Sequence, residues 1–259
     1  MVKRDGLWYK LRTKLTELFA PTEFRCLDCG RDVFDELGFC KECRANLPYN
    51  NGKTCKRCGV AIDGAEDYCG NCAEDKVYFD KAYSPFGYQG VVRKAILAMK
   101  FGNCGAYARV LARYLAFTVN KYDVSFDIVV PVPMSKASFR KRGYNQAELL
   151  ARGFCDIMDC DDKFVDALSK IKDTTPQEKL GKKERKENLI GCIRVKDGAK
   201  TRIKGKIVLL VDDIKTTGAT INECAKVLKL KGAKAVYAVT VASRAENFVF
   251  EVTDEHVPG

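Results

Sequence analysis

The chain has 259 residues, 45 of them Lys or Arg and 34 Asp or Glu, for a formal charge of +11. That length holds one sizeable core, or a small module and one ordinary domain. The longest apolar run is five residues, far below the roughly 20 a membrane-spanning helix needs, so no membrane span is expected.

The single histidine, His256, lies near the C-terminus. A Ser-His-Asp or Cys-His hydrolase, or a His-ligated zinc enzyme, would need it folded back into a core, and those classes are set aside. Lys3 and Arg4 are not followed by the apolar stretch of roughly 7–15 residues that marks a secretory signal. The 13 cysteines are therefore expected to be reduced and to serve metal binding rather than disulfides.

In chain order, residues 7–19 place Trp8, Leu11, Leu15, Leu18 and Phe19 at helical spacing, and Pro21 stops the helix. Two quartets follow: Cys26, Cys29, Cys40 and Cys43, then Cys55, Cys58, Cys69 and Cys72. Each is C-x2-C, ten residues, C-x2-C. A C-x2-C turn aims two sulfurs at one ion, and four thiolates close a tetrahedral Zn2+ site with no open position, so both sites are expected to be structural. Sequential pairing is the expected one, and interleaved pairing stays open on spacing alone. A segment this short, with few large apolar residues, needs metal to fold, at about 10–16 kcal/mol per zinc-finger site. Cys104, Cys155, Cys160, Cys192 and Cys224 show no ligand spacing and are expected to be ordinary core residues.

Charge divides the chain at this point. Residues 1–79 hold 13 basic and 13 acidic residues, and residues 80–259 carry the whole excess of +11. The expected domains are 1–79, an N-terminal helix with a double zinc ribbon, and 80–259. An anionic partner is expected on the second.

Residues 91–100, 107–119 and 147–158 read as amphipathic helices, with Asp127–Val132 a short strand between the second and third. Ile207–Val211 is a buried strand, 219–231 a helix stopped at Gly232, and Ala235–Val241 another strand. Strands alternating with helices predict an α/β fold, a parallel sheet with helices on both faces. In such sheets ligands bind beyond the C-terminal ends of the strands.

The strand Ile207–Val211 runs into Asp212 and Asp213, then Ile214, Lys215, Thr216, Thr217, Gly218, Ala219 and Thr220, then a helix. Adjacent carboxylates can accept from the vicinal hydroxyls of a sugar or hold Mg2+. A hydroxyl-rich turn entering a helix N-terminus suits a phosphate. Together they predict a site for a phosphoribosyl group.

The stretch Val208–Thr220 resembles the phosphoribosyl-pyrophosphate (PRPP) motif of the type I phosphoribosyltransferases. By that resemblance Asp212 and Asp213 meet the ribose hydroxyls, and Lys215, Thr216, Thr217, Gly218, Ala219 and Thr220 cradle the 5'-phosphate. Further stretches narrow the likeness: Pro131-Val-Pro133 before Arg140-Lys-Arg-Gly-Tyr-Asn-Gln-Ala147, Thr174–Leu180 before Arg185 and Asn188, and Ala98–Phe101. With the zinc module they resemble the ComF family from about Cys26 to Arg244. The resemblance implies a double zinc ribbon fused to a phosphoribosyltransferase-type domain. It also implies a role in DNA uptake during natural transformation, in the cytoplasm at the inner face of the membrane, on incoming single-stranded DNA and beside other proteins of the uptake machinery.

Two functions are carried forward. In the first, the protein binds PRPP and single-stranded DNA. Residues 131–206 hold 19 basic and 11 acidic residues, with Phe139, Tyr144 and Phe154 among them, as a basic groove with stacking aromatics would. In the second, it is a Mg2+-dependent phosphoribosyltransferase acting on an unidentified base, with Asp212, Asp213 and Arg185 catalytic. Lys100, Arg140, Arg142 and Asn145 are candidates for pyrophosphate or nucleic-acid contact. Residues 170–188, polar and without periodicity, are the expected hood.

Overall fold

A computed structural model describes residues 25–33, 35, 37–101, 104–171 and 191–244. The expected helix over 7–19, Arg185, His256, the Cys104 side chain and most of the expected hood lie outside the described residues.

Two short helices, α1 (Lys41–Ala45) and α2 (Gly70–Glu74), each begin at the third cysteine of a quartet. Strands β1 (Lys81–Tyr83) and β2 (Phe86–Gly87) precede helices α3 (Gly90–Phe101) and α4 (Cys104–Lys121). Strand β3 (Ile128–Pro131) leads through α5 (Lys136–Arg142) into α6 (Gln146–Ile157). Strands β4 (Leu168–Lys170) and β5 (Ile193–Val195) pair antiparallel, apart from the main sheet. A short helix α7 (Lys200–Ile203) then leads to β6 (Ile207–Lys215), α8 (Ala219–Leu230) and β7 (Ala235–Ser243).

The main sheet is parallel, in the order β1-β7-β6-β3, with β2 also pairing with β7. Val, Ile and Leu fill the central strands because both faces are covered. Alternation sends Val129, Leu209, Val211, Val239 and Val241 to one core, with α3, α4 and α6. Ile128, Val130, Val208, Leu210, Val236 and Ala238 go to the other, with Ile221, Cys224, Ala225 and Leu228 of α8.

The cysteine segment divides between these two cores. Cys26, Val33, Phe39 and Leu47 join the first. Cys55, Cys58, Val60, Cys69, Cys72 and Phe79 join the second. The segment also takes up the backbone groups of the β1–β2 edge. Ala82 N donates to Arg57 O at 2.8 Å, Asn50 N to Pro85 O at 2.8 Å, and Gly87 N to Pro48 O at 2.7 Å. Gly59 makes this approach possible: its φ is +66°, and a Cβ there would lie 2.6 Å from Ala82 O.

Three sequence expectations change in detail. Strand β6 does not stop at Val211. Asp212, Ile214 and Lys215 still pair with Thr240, Ala242 and Ser243 of β7, so the acids lie inside the strand's last turn of pleat. The expected loop after Val132 contains α5, capped by Ser135, whose side chain accepts from Ser138 N at 3.2 Å, and closed by Gly143 at φ 78°. The expected strand over Asp127–Val132 is the shorter Ile128–Pro131.

Candidate functional site

Strand β6 delivers Asp212 and Asp213 to the C-terminal edge of the sheet. Asp213 N donates to Asp212 Oδ1, and Ile214 N to Asp213 Oδ1, both at 2.9 Å, so each carboxylate is fixed by the amide that follows it. Removal from water pushes the Asp212 carboxyl well above the usual carboxylate range, and the adjacent Asp213 charge adds to the shift.

Lys100, the penultimate residue of α3, faces them. Its Nζ lies 2.9 Å from Asp213 Oδ2, and both side chains are nearly buried. Burial opposes its charge, but Asp213, with Asp212 behind it, holds the ammonium above the usual lysine value. The helix end that carries Lys100 is anchored by Tyr144, whose hydroxyl donates to Met99 O at 2.7 Å.

After Lys215 the chain turns through Thr216 and Thr217 to Gly218, at φ 77° and ψ 2°, and enters α8. That left-handed conformation calls for glycine by its backbone alone. Thr217 Oγ1 accepts from Ala219 N at 3.4 Å. Thr216, Thr217, Gly218, Ala219 and Thr220 are all half-buried. The side chain of Lys215 turns away from this cradle: it is buried, and its Nζ lies 3.5 Å from Cys58 Sγ.

Arg140 and Arg142 lie on α5, the first exposed and the second half-buried. Asn145 caps α6: its Oδ1 accepts from Ala147 N at 3.2 Å, and its Nδ2 donates to Val132 O at 3.0 Å. Its amide therefore holds the end of β3 against α6.

The cysteines gather as two sequential quartets, with the ligand sulfurs of each within 4.8 Å of one another. A tetrahedron with Zn–S of about 2.3 Å separates its sulfurs by about 3.8 Å. Cys29 Sγ and Cys40 Sγ are 3.7 Å apart, and Cys58 Sγ and Cys69 Sγ 3.6 Å, so both groups fit Zn2+. Beside the first, Arg31 Nε donates to Cys29 Sγ at 3.3 Å, and this bond holds the Cys29 thiol down at about 6. Cys155, Cys160, Cys192 and Cys224 are buried, as ordinary core cysteines.

A cleft of about 230 Å³ is lined by both the second quartet and the turn. Cys58, Tyr78, Lys215, Thr217, Asn222 and Arg244 are among its lining residues, and neither Asp212 nor Asp213 lines it. Asn222, in the first turn of α8, closes one side: its Oδ1 accepts from Tyr78 N at 2.7 Å and its Nδ2 donates to Lys76 O at 3.0 Å. No local motif marks the Lys215–Cys58 pair, because its members are 157 residues apart.

Two family descriptions match the chain: "Phosphoribosyl transferase domain" over residues 101–252 and "Double zinc ribbon domain" over residues 15–73. Among curated proteins, the chain is 29% identical to Competence protein F of Haemophilus influenzae, covering 82% of this chain and 94% of that one. It is 28% identical to Competence protein ComFC of Bacillus subtilis, over 74% of this chain and 78% of that one. It is 26% identical to DNA utilization protein YhgH of Escherichia coli, over 77% and 87%. With the parallel sheet, the acid pair and the two thiol quartets in place, the chain belongs to the phosphoribosyl transferase domain family, as a ComF-type member that carries the double zinc ribbon ahead of that domain.

Proposed function

We propose that this protein binds PRPP, or a related phosphoribosyl group, at the end of β6, and single-stranded DNA on its basic C-terminal part, in DNA uptake at the inner face of the membrane. The observation that carries the reading is one strand end that presents two amide-fixed carboxylates and then a left-handed glycine turn into a helix N-terminus. The carboxylates suit a diol and the turn suits a phosphate monoester. Lys100, ion-paired to Asp213, sets a cation beside the two acids, as a leaving pyrophosphate would require. Hard oxygen donors at Asp212 and Asp213 fit Mg2+, which would add positive charge to the bound pyrophosphate. The printed names of the relatives above, competence and DNA utilization proteins, support the nucleic-acid half, as does the concentration of basic residues in 131–206.

The test is titration with Mg2+-PRPP and with a short single-stranded oligonucleotide, separately and together. Wild-type protein should bind both. Asp212→Ala/Asp213→Ala should lose PRPP binding by about 100-fold or more, as two charge-assisted contacts are removed. The same variant should keep DNA binding, with a salt slope near −0.7 per phosphate neutralised. Wild-type protein that ignores PRPP would overturn the phosphoribosyl reading, and salt-independent or absent oligonucleotide binding would overturn the DNA reading. Pyrophosphate release with any member of a nucleobase panel would make the protein a transferase.

A further inference from the structure

We infer that Lys215 is the counter-ion of the second zinc centre, and that zinc in that centre thereby holds the Thr216–Thr220 turn in shape. Lys215 opens the turn, and only 3% of its surface is exposed. A buried ammonium requires an anion close by. The hydrogen bond it makes is to Cys58 Sγ, at 3.5 Å, a sulfur of the quartet whose four cysteines are all buried. Four thiolates around one Zn2+ leave a formal charge of −2. Buried among Val60, Phe79 and Ala82, that charge also needs compensation. The two requirements meet in one contact.

The first quartet shows the same device in local form, Arg31 donating to Cys29 beside it on the surface. What differs at the second quartet is where the cation comes from. Lys215 is part of the phosphate turn, and its stem passes beneath it: a Cβ on Gly218 would lie 3.9 Å from both Lys215 Cγ and Cδ. Asn222 ties the other end of the turn to Lys76 and Tyr78, just beyond the same quartet. The turn is thus held at one end by a zinc ligand and at the other by the segment that follows the second quartet. Lys215 acts here as a positioning residue.

The zinc half of this inference stands on geometry alone, and the turn half deepens the phosphoribosyl reading above. The experiment uses the full zinc-loaded chain and a chromogenic chelator that reports zinc release. Lys215→Met should release one of its two zincs about 10–100-fold faster than wild type, the usual effect of removing an outer partner of a metal ligand. The other zinc should leave at the wild-type rate, and Lys215→Arg should restore much of the retention. Cys40→Ser/Cys43→Ser protein, carrying only the second zinc, identifies which centre responds. Hydrogen exchange then reads the turn: amides of residues 216–220 should exchange faster in Lys215→Met, and in Cys72→Ser protein, which keeps only the first zinc. The Cys72→Ser measurement serves even if Lys215→Met fails to fold. Unchanged release from Lys215→Met overturns the zinc half, and unchanged exchange after loss of the second zinc overturns the turn half. Neither result depends on PRPP, so a failure of PRPP to bind leaves the inference separately decided.

Discussion

The two cysteine quartets have identical spacing and different surroundings. In the first, Cys29 is exposed, Cys40 and Cys43 are half-buried, and the nearby cation, Arg31, comes from the same turn of chain. In the second, all four cysteines are buried, and the cation comes from β6. The spacing specifies the ion, and the surroundings decide what depends on it. The first centre sets Phe39 and Leu47 into the core beside α4, where Tyr114 Oη donates to Leu37 O at 3.2 Å. The second centre belongs to the core behind the site.

The sharpest way to break this comparison is to remove one centre at a time. Cys72→Ser should lose the second zinc and, with it, enough of the roughly 10–16 kcal/mol that such a site contributes to give the larger drop in melting temperature. Cys29→Ser should leave a folded chain with one zinc and a lower melting temperature. Equal losses by thermal melting and elemental analysis would erase the distinction.

The next effect concerns the nearly buried pair beside the turn. Asp213→Ala leaves Lys100 without its partner and should destabilise by about 3–5 kcal/mol in denaturant unfolding. Lys100→Met/Asp213→Asn, which removes both charges, should recover most of that stability. No recovery would mean that the pair is not the source of the loss.

Asp212→Asn should act in the opposite direction. Its folded-state value is raised, so its contribution to stability is complete below the unfolded carboxylate value and is lost as pH rises through the folded one. At neutral pH the amide should therefore melt higher, at about 2–4 °C per kcal/mol for a chain of this size, and should flatten the pH dependence above the ordinary carboxylate range. PRPP binding should fall in the same variant. A lower melting temperature would contradict the burial argument.

The smallest effect is expected at the exposed partner of the first centre. Arg31→Met should leave the melting temperature within error, since its ion pair with Glu42 is solvent-screened. A drop comparable to that of Lys215→Met would make the two cations equivalent.

Much of this arrangement was legible in the sequence. The amphipathic periods located α3, α4, α6 and α8 within a few residues, because each buries one face against the sheet. The quartets paired as their order suggests. The end of β6 was misplaced because two acids look like a strand terminus. They continue the ladder because β7 runs on to Ser243 beside them. Helix α5 is short and polar, and strands β4 and β5 have three residues each, so no hydrophobic period announces them. Charge alone separates residues 1–79 from the rest and is silent on how the ribbon packs across both faces of the sheet. Lys215 reads in the sequence only as one residue of the turn after β6, and its thiolate partner does not show there, since that contact exists only once strand and ribbon have folded together.

The ribbon's grip on the β1–β2 edge has a consequence for how the chain matures. Backbone groups at Ala82, Pro85 and Gly87 that would otherwise invite a foreign strand are taken by Arg57, Asn50 and Pro48. A newly made chain starved of metal would present that open edge together with the apolar surface that Phe39, Leu47, Val60 and Phe79 cover. Zinc shortage should therefore show itself in cells as aggregation and clearance of the polypeptide, well before any shortfall in ligand affinity could be measured.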